Sequence, residues 1–241
     1  MSILIRKILL TIVIVVSISG IGFSLFSILK GTFEYQQSAK RYKEVEKIYE
    51  GESLQSNKTD QMLRMNKDYV GWIKVNDTKI NYPVVKTQDN SFYLSHNFYK
   101  EKDRLGSIFM DYKNSGDQLD KNIILYGHNM KDASMFGSLK NFLDQDYYQS
   151  HRFISFDYLG STYEWEIFSV YASDDVEWMK TQFSNYEDFG EYLTAIKKKS
   201  KFPSRVEVTN EDNILTLSTC TNREEDGRFI VHAKLIKKGN D

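Results

Sequence analysis

The sequence predicts a mainly β fold, an all-β barrel or sandwich that follows an apolar N-terminal segment. From Gly71 onward, short runs rich in β-branched and aromatic residues alternate with turn-forming clusters, as in a fold built from many strands. Helical spacing of apolar residues is confined to the chain before Gly71 and to two segments between the strand-like runs. The part after the apolar segment is about the size of one large or two small domains.

The apolar segment runs from Ile8 to Leu29 without a charged residue. A run longer than about 18 residues can cross the hydrocarbon core as a helix. A cleaved signal peptide is the alternative, but its apolar region is usually about 7–15 residues long and ends in a small-residue cleavage site. Because this run is longer and ends in FSILKGTF, we expect residues 1–30 to be an uncleaved, single-pass anchor in the cell membrane. A short cytoplasmic N-terminus then places the folded part outside the cell.

Residues 31–70 are predicted to form a helical extension. Apolar residues at helical spacing predict a helix from about Glu34 to Glu50, carrying Tyr42, Val45, Ile48 and Tyr49. The polar stretch 50–59 is typical of a connection. Thr59 or Asp60 then caps a short helix that carries Met62, Leu63 and Met65.

Residues 71–241 are predicted to form the β domain. The strand-like runs are GWIKV (71–75), INYPVV (80–85), GSIFMD (106–111), NIILYG (122–127), RFISFD (152–157), TYEWEIFSVYA (162–172), RVEVT (205–209), NILTLST (213–219) and RFIVHAKLI (228–236). A short helix is predicted near Met135–Tyr148. A longer one follows Ser184, which forms a capping box with Glu187, and ends near Lys199. Its inward stripe is Phe189, Tyr192, Leu193 and Ile196.

Composition excludes some classes of function. The 32 Lys and Arg residues are balanced by 33 Asp and Glu residues, so no basic footprint for nucleic acid exists. No spacing typical of metal ligands is present, and we expect neither a metal nor a cofactor. The single cysteine, Cys220, cannot form an internal disulfide. In an exported protein it indicates a reactive thiol or intermolecular pairing, and a small buried side chain is the alternative.

Three residues with catalytic side chains lie at the ends of strand-like runs. Cys220 ends the run NILTLST, His128 directly follows NIILYG, and Arg228 begins RFIVHAKLI after a turn. A thiolate can attack a carbonyl while an imidazole moves protons to and from amines. A guanidinium can hold the oxyanion, and a nearby cation favours the thiolate. Sequence spacing leaves open whether the three meet in space.

Several longer motifs around these residues resemble a known family. The segments TLSTC (216–220), YGHNM (126–130) and GRFIVHAKLI (227–236) resemble the three active-site strands of a sortase. The segments NYPVV, GSIFMD and MFGSLK (135–140), with the long helix, are most similar to class B sortases, and the resemblance covers essentially the whole chain. It implies an eight-stranded β-barrel with N-terminal helices and a long helix before the last two strands, on the outer face of a Gram-positive cell.

The resemblance also implies an activity. A sortase is a transpeptidase that cleaves a C-terminal sorting signal after threonine and transfers the protein to a cell-wall amine. By position, Cys220 resembles the nucleophile, His128 the general acid and base, and Arg228 the residue that stabilises the oxyanion or the substrate. The implied partners are sorting-signal-bearing surface proteins, the amine of a peptidoglycan precursor or cross-bridge, and the membrane. The alternatives are a cysteine peptidase that releases its product to water and a non-catalytic surface β-barrel that binds a partner.

Other polar and aromatic residues have two interpretations each. Three residues line a substrate groove or serve packing and loop roles: Tyr126, Ser218 and Asn97. His232 is interpreted as a residue on a strand face, and His96 and His151 as surface histidines. The tryptophans, Trp72, Trp165 and Trp178, are interpreted as core or rim aromatics. Asp226 either pairs with Arg228 or only closes the turn before it.

Overall fold

The structure, a computed structural model, describes residues 3–51, 54–220 and 227–238. It describes only the backbone of Ile5, Leu9, Gln55, Cys220, Lys237 and Lys238. The chain divides after Arg41 into two compact units, which are treated separately below.

The first unit belongs to a long helix, α1, which spans Ile3–Gly51. The helix predicted at Glu34–Glu50 is therefore confirmed, and it continues from the apolar segment without a break. Within the described residues, α1 is the helix that is long and apolar enough to cross a membrane. Its described side chains between Leu10 and Leu29 are exposed, as a membrane-anchoring helix requires.

The second unit, from Tyr42 onward, contains the predicted β-barrel. The strands are β1 (Tyr69–Lys74), β2 (Asn81–Val85), β3 (Ile108–Met110), β4 (Asn122–His128), β5 (Phe153–Tyr158), β6 (Ser161–Ser173), β7 (Ile214–Cys220) and β8 (Arg228–Lys238). They close in the order β1-β2-β3-β4-β7-β8-β6-β5. Strand pairs β2–β3 and β4–β7 are parallel, and the others are antiparallel. The prediction of a mainly β, eight-stranded barrel is confirmed.

The strand predicted at RVEVT (205–209) is wrong. These residues have no regular secondary structure and pair with no strand. Because the barrel is closed, every strand already has two neighbours, and no edge remains for another. The apolar signal of the segment comes from Val206, which is buried while Arg205 and Glu207 on either side are exposed.

After the end of α1, the α-helices described in the second unit are α2 (Gln55–Met65), α3 (Gln145–Ser150) and α4 (Tyr186–Lys199). The cap predicted at Thr59 or Asp60 is wrong, because α2 already begins at Gln55 and is preceded by Leu54. The helix predicted near Met135–Tyr148 is instead a 3-10 turn, Leu139–Leu143, followed by α3.

Helix α4 lies before the last two strands, as predicted, and buries the predicted stripe of Phe189, Tyr192, Leu193 and Ile196. Its cap is one residue later than expected. Asn185 accepts a hydrogen bond from the backbone N–H of Asp188, whose carboxylate accepts from the N–H of Ser184. This reciprocal pair satisfies two N–H groups at the start of the helix, as a capping box does.

Candidate active site

Strand pairing places His128 and Cys220 at the same end of the barrel. Strands β4 and β7 run parallel, and the last pair in their register joins His128 to Cys220. Arg228 is the first residue of β8, which runs antiparallel to β7. Ser218 pairs with Ile230, and Cys220 and Arg228 lie two residues beyond them at the same end of this strand pair. The three strand-end residues that the sequence indicated therefore lie at one end of the barrel.

His128 is held by a backbone carbonyl. Its Nε2 lies 2.6 Å from the carbonyl oxygen of Leu94, and the ring is half-buried. A carbonyl can only accept a hydrogen bond, so Nε2 carries the hydrogen and Nδ1 is the nitrogen that can exchange a proton. Gly127 before it allows close packing, because a Cβ there would lie 2.8 Å from Cγ of Phe136.

An aromatic ring packs against the guanidinium of Arg228. Its Cζ lies 5.6 Å from the ring centroid of Trp178, which is completely buried. The indole N–H of Trp178 donates to the carbonyl of Asp175 at 2.8 Å, which fixes the ring plane. A guanidinium over a tryptophan face is stabilised by a cation–π interaction, by about 0.5–2 kcal/mol depending on its exposure, and Arg228 is partly exposed. Asp226, which the sequence leaves as either a partner of Arg228 or only a turn residue, lies outside the described residues.

The sequence and the fold of this chain match known proteins. Residues 73–236 match the family model of the sortase domain. The chain belongs to the sortase family. Sortase B of Listeria monocytogenes is 44% identical over 180 residues, which are 73% of this chain and 73% of that protein.

Solved structures agree with this assignment. Sortase B from B. anthracis superposes with a TM-score of 0.80 and 41% identity, covering 85% of this chain and 99% of that one. The Staphylococcus aureus sortase B–substrate complex superposes with a TM-score of 0.79 and 37% identity, covering 85% and 99%. This chain is a class B sortase, a cysteine transpeptidase of a family that acts on sorting-signal substrates and amine nucleophiles.

In this sortase, Trp178 is connected to a chain of buried hydrogen bonds. The hydroxyl of Tyr192 donates to the carbonyl of Trp178 at 2.9 Å and accepts from Nδ2 of Asn122 at 3.0 Å. Oδ1 of Asn122 accepts from the hydroxyl of Thr216 at 2.7 Å, and that hydroxyl contacts Nδ1 of His232 at 2.9 Å. This series of hydrogen bonds joins α4, β4, β7 and β8, so it attaches Trp178, which contacts Arg228, to the barrel wall.

His232 is the buried end of this chain. Burial, with a smaller contribution from the charge of Lys199, lowers the pKa of His232 from 6.5 to about 3. Its Nε2 lies 2.9 Å from the hydroxyl of Tyr171. The residue interpreted from sequence as part of a strand face is thus a neutral core histidine that pairs with neighbouring strands.

The three other candidate residues, Tyr126, Ser218 and Asn97, are all buried. The hydroxyl of Tyr126 donates to Asp111 at 2.7 Å. Ser218 Oγ contacts the carbonyl of Thr219 at 3.3 Å. Asn97 Oδ1 accepts from the N–H groups of Tyr99 and Glu101, which organises a loop. These contacts support the packing or loop interpretation of each residue, which the sequence left open beside the groove role.

The remaining histidines and tryptophans have structural contacts of their own. His96 stacks on Phe92 and His151 on Tyr147, each at a centroid distance of 4.0 Å, and both are partly exposed. Trp72 and Trp165 are buried, as is Trp178. Among the described residues, no group of three or more His, Cys, Asp or Glu side chains is arranged to hold a metal ion.

Sequence reasoning missed two parts of this site. The carbonyl of Leu94 is a backbone group, so no residue type marks it in the sequence. Trp178 was recognised as a core or rim aromatic, but its place beneath Arg228 depends on the path of the long β6–β7 connection. A tryptophan between a strand and a capped helix gives no sign of which cation it will meet.

Proposed function

We propose that Cys220 is the nucleophile of this sortase, His128 its general acid and base, and Arg228 the residue that stabilises the oxyanion. The observation that carries the proposal is that the three residues lie at one end of the barrel. His128 and Cys220 are paired in register there, and β8 begins there with Arg228. The proposed reaction cleaves a sorting signal after threonine and transfers the protein to an amine of the cell wall.

In the first half of the reaction, the thiolate of Cys220 attacks the carbonyl carbon of the substrate threonine and forms a C–S bond. Negative charge develops on the carbonyl oxygen, where the guanidinium of Arg228 stabilises it. The C–N bond then breaks, and the imidazolium of His128 gives its proton to the departing amine. The products are a thioester on Cys220 and a free C-terminal fragment of the signal.

In the second half, an acceptor amine attacks the thioester carbon. Neutral His128 takes a proton from the attacking amine, the C–S bond breaks, and the thiolate of Cys220 leaves. The new amide joins the protein to the acceptor, and the resting protonation states return. Because the hydrogen on Nε2 is held by Leu94, Nδ1 is the nitrogen that gives and takes the proton.

Arg228 suits the oxyanion role because it is always charged and presents several donors in one plane. The cation–π contact with the buried ring of Trp178 limits the movement of the guanidinium. The guanidinium can therefore be oriented before substrate arrives, and this preorganisation makes oxyanion stabilisation effective.

The proposed organisation follows the same division as the sequence. Residues 1–30 form a single-pass anchor, residues 31–70 a helical extension, and residues 71–241 the catalytic barrel outside the cell membrane. The uncharged, exposed apolar part of α1 supports this arrangement. The proposed substrates are surface proteins with sorting signals, and the proposed acceptor is the amine of a peptidoglycan precursor or cross-bridge.

The test uses the full chain in detergent micelles and a library of fluorogenic peptides that contain threonine. We expect Cys220→Ala to abolish cleavage and the thioester adduct seen by mass spectrometry. We expect His128→Ala to lower turnover by about 100- to 10,000-fold. His151→Ala is the matched control, since His151 is another half-buried histidine that stacks on Tyr147 instead.

Product analysis separates the transpeptidase from the peptidase alternative. With a set of peptide amines present, the proposal expects a product joined to an amine. Hydrolysis as the sole outcome would support release to water. Normal turnover by Cys220→Ala would overturn the nucleophile assignment and favour a structural cysteine.

A further inference from the structure

A tyrosine of α1 contacts the loop that surrounds His128. The hydroxyl of Tyr42 donates to the carbonyl of Gly106 at 2.5 Å and lies 3.0 Å from Oγ of Ser107. The side chain is only 6% exposed, so water cannot replace these contacts at little cost. Tyr42 belongs to the second compact unit, together with the barrel.

Gly106 is packed directly against the histidine and its hydrogen-bond acceptor. A Cβ on Gly106 would lie 2.9 Å from the carbonyl oxygen of Leu94 and 3.1 Å from Cδ2 of His128. The φ angle of Gly106 is +57°, in the left-handed region that favours glycine. The backbone at this position therefore forms one wall of the space that holds the imidazole.

Ser107 ties the same wall to the loop that supplies the Leu94 carbonyl. Its N–H donates to the carbonyl of Tyr93 at 3.0 Å, and its Oγ donates to the carbonyl of His96 at 2.9 Å. The hydroxyl of Tyr42 thus donates to Gly106, which packs against the Leu94 carbonyl, and contacts Oγ of Ser107, which bonds the loop on both sides of Leu94.

We infer that Tyr42 is a positioning residue for His128, acting through Gly106, Ser107 and the Leu94 carbonyl. The inference rests on the proposed role of His128 as general acid and base. Without the hydroxyl, the buried carbonyl of Gly106 loses its donor and the wall relaxes. The Nε2–H bond to Leu94 then weakens, and the imidazole no longer holds the orientation needed for proton transfer.

Tyr42→Phe tests the inference in the full chain, because it removes the hydroxyl and keeps the ring that packs edge-on against Tyr82. A misplacement of about 1 Å at a reacting group can cost about 100-fold. We expect kcat to fall by about 10- to 100-fold. KM for a library-selected fluorogenic peptide stays unchanged, because no substrate contact is lost. The NMR signal of the Nε2 hydrogen, in protein with isotope-labelled histidine, should move upfield as its bond to Leu94 weakens.

Tyr49→Phe is the matched control. Tyr49 lies on the same helix, is equally buried, stacks on Trp72 and donates to Asp157, away from His128. It should lower the melting temperature and leave kcat and the histidine signal unchanged. Ser107→Ala is the second variant. It keeps the bond from Tyr42 to Gly106 but removes the Oγ bond to the carbonyl of His96 in the loop that carries Leu94, so it should lower kcat in the same direction.

The outcomes separate this inference from the proposed function. If His128→Ala stays active, the general acid–base role is wrong and the inference fails with it. If His128→Ala is inactive while Tyr42→Phe and Ser107→Ala keep wild-type kcat and an unchanged Nε2 hydrogen signal, the proposed function stands and the positioning role is overturned. Equal losses of kcat in Tyr42→Phe and Tyr49→Phe would also overturn it, because they indicate general destabilisation.

Discussion

Replacing His232 with glutamine tests whether the barrel requires a neutral histidine in its core. The hydrogen-bond directions around His232 determine its protonation. Since Thr216 donates its only hydroxyl hydrogen to Asn122, Nδ1 of His232 must donate to Thr216. Nε2 then accepts from the hydroxyl of Tyr171. Both ring nitrogens are satisfied in the neutral form, and a second proton would meet a donor at Nε2.

The size of the effect follows from the pKa. Burial lowers the pKa of His232 from 6.5 to about 3 in the folded protein. Between these values the unfolded chain binds a proton that the folded protein does not, so stability is full above pH 6.5 and falls as the pH falls. At about 1.4 kcal/mol for each unit, acidification from about pH 7.5 to about pH 5 costs about 2 kcal/mol, and the whole window about 5 kcal/mol.

The groups that face His232 do not interfere in this window. Tyr171 and Tyr192 have pKa values raised by burial and stay neutral, and Lys199 stays charged. Several carboxylates also have pKa values lowered by their hydrogen bonds, and they titrate below 3.8, well under pH 5: Asp89, Asp175, Asp188 and Asp212. The part of the stability loss between neutral pH and pH 5 that His232→Gln no longer shows therefore comes from His232.

The assay is thermal unfolding of the wild type, His232→Gln and the control His151→Gln at about pH 7.5 and about pH 5. A loss of about 2 kcal/mol corresponds to about 4–8 °C in a domain of this size. We expect His232→Gln to be less stable at neutral pH but to lose about 4–8 °C less than the wild type on acidification. An equal loss in the wild type and His232→Gln would refute the reasoning.

Three further predictions concern the site and the anchor. Arg228→Lys should fold normally and lose about 100- to 1,000-fold in kcat, because an ammonium cannot reproduce the planar donors; equal damage from Asp226→Ala would indicate a merely structural ion pair. Gly106→Ala should destabilise the protein by about 1–3 kcal/mol through backbone strain alone, and also lower kcat, since its Cβ would approach the Leu94 carbonyl; wild-type melting and kinetics would contradict this. The mature protein should fractionate with membranes, and an N-terminus beyond Lys30 by mass spectrometry would contradict the anchor.

The strand ends of the site could be predicted because the apolar pattern stops where each strand stops. Cys220 is the last residue of β7 and His128 the last of β4, as the ends of NILTLST and NIILYG indicated. The parallel pairing of these strands could not be read from the pattern. Alternation of apolar and polar residues shows which face of a strand a side chain lies on, but it does not identify the neighbouring strand. Only the resemblance to a family therefore predicted that the three residues form one site.

The errors have local physical causes. The segment RVEVT has the composition of a strand, but a strand also requires a free edge, and the closed barrel has none. The sequence predicts Ser184 as the capping residue of α4, because Glu187 follows it at the right spacing. Asn185 and Asp188 have the same spacing one residue later, and the structure uses them. Sequence signals for caps are short, so two adjacent solutions compete.

The long connection between β6 and β7 explains why the three strand ends can share one edge. After β6, the polypeptide must return to the opposite end of the barrel so that β7 can run parallel to β4. Such a crossover needs a dozen or more residues. Helix α4 lies in this connection, and so does Trp178. The hydroxyl of Tyr192 on α4 binds the carbonyl of Trp178, whose ring supports Arg228 at the start of β8. The segment that makes the parallel pairing possible therefore also supplies the support for the cation, and changes to α4 should act on Arg228 even though the helix contributes no proposed catalytic side chain.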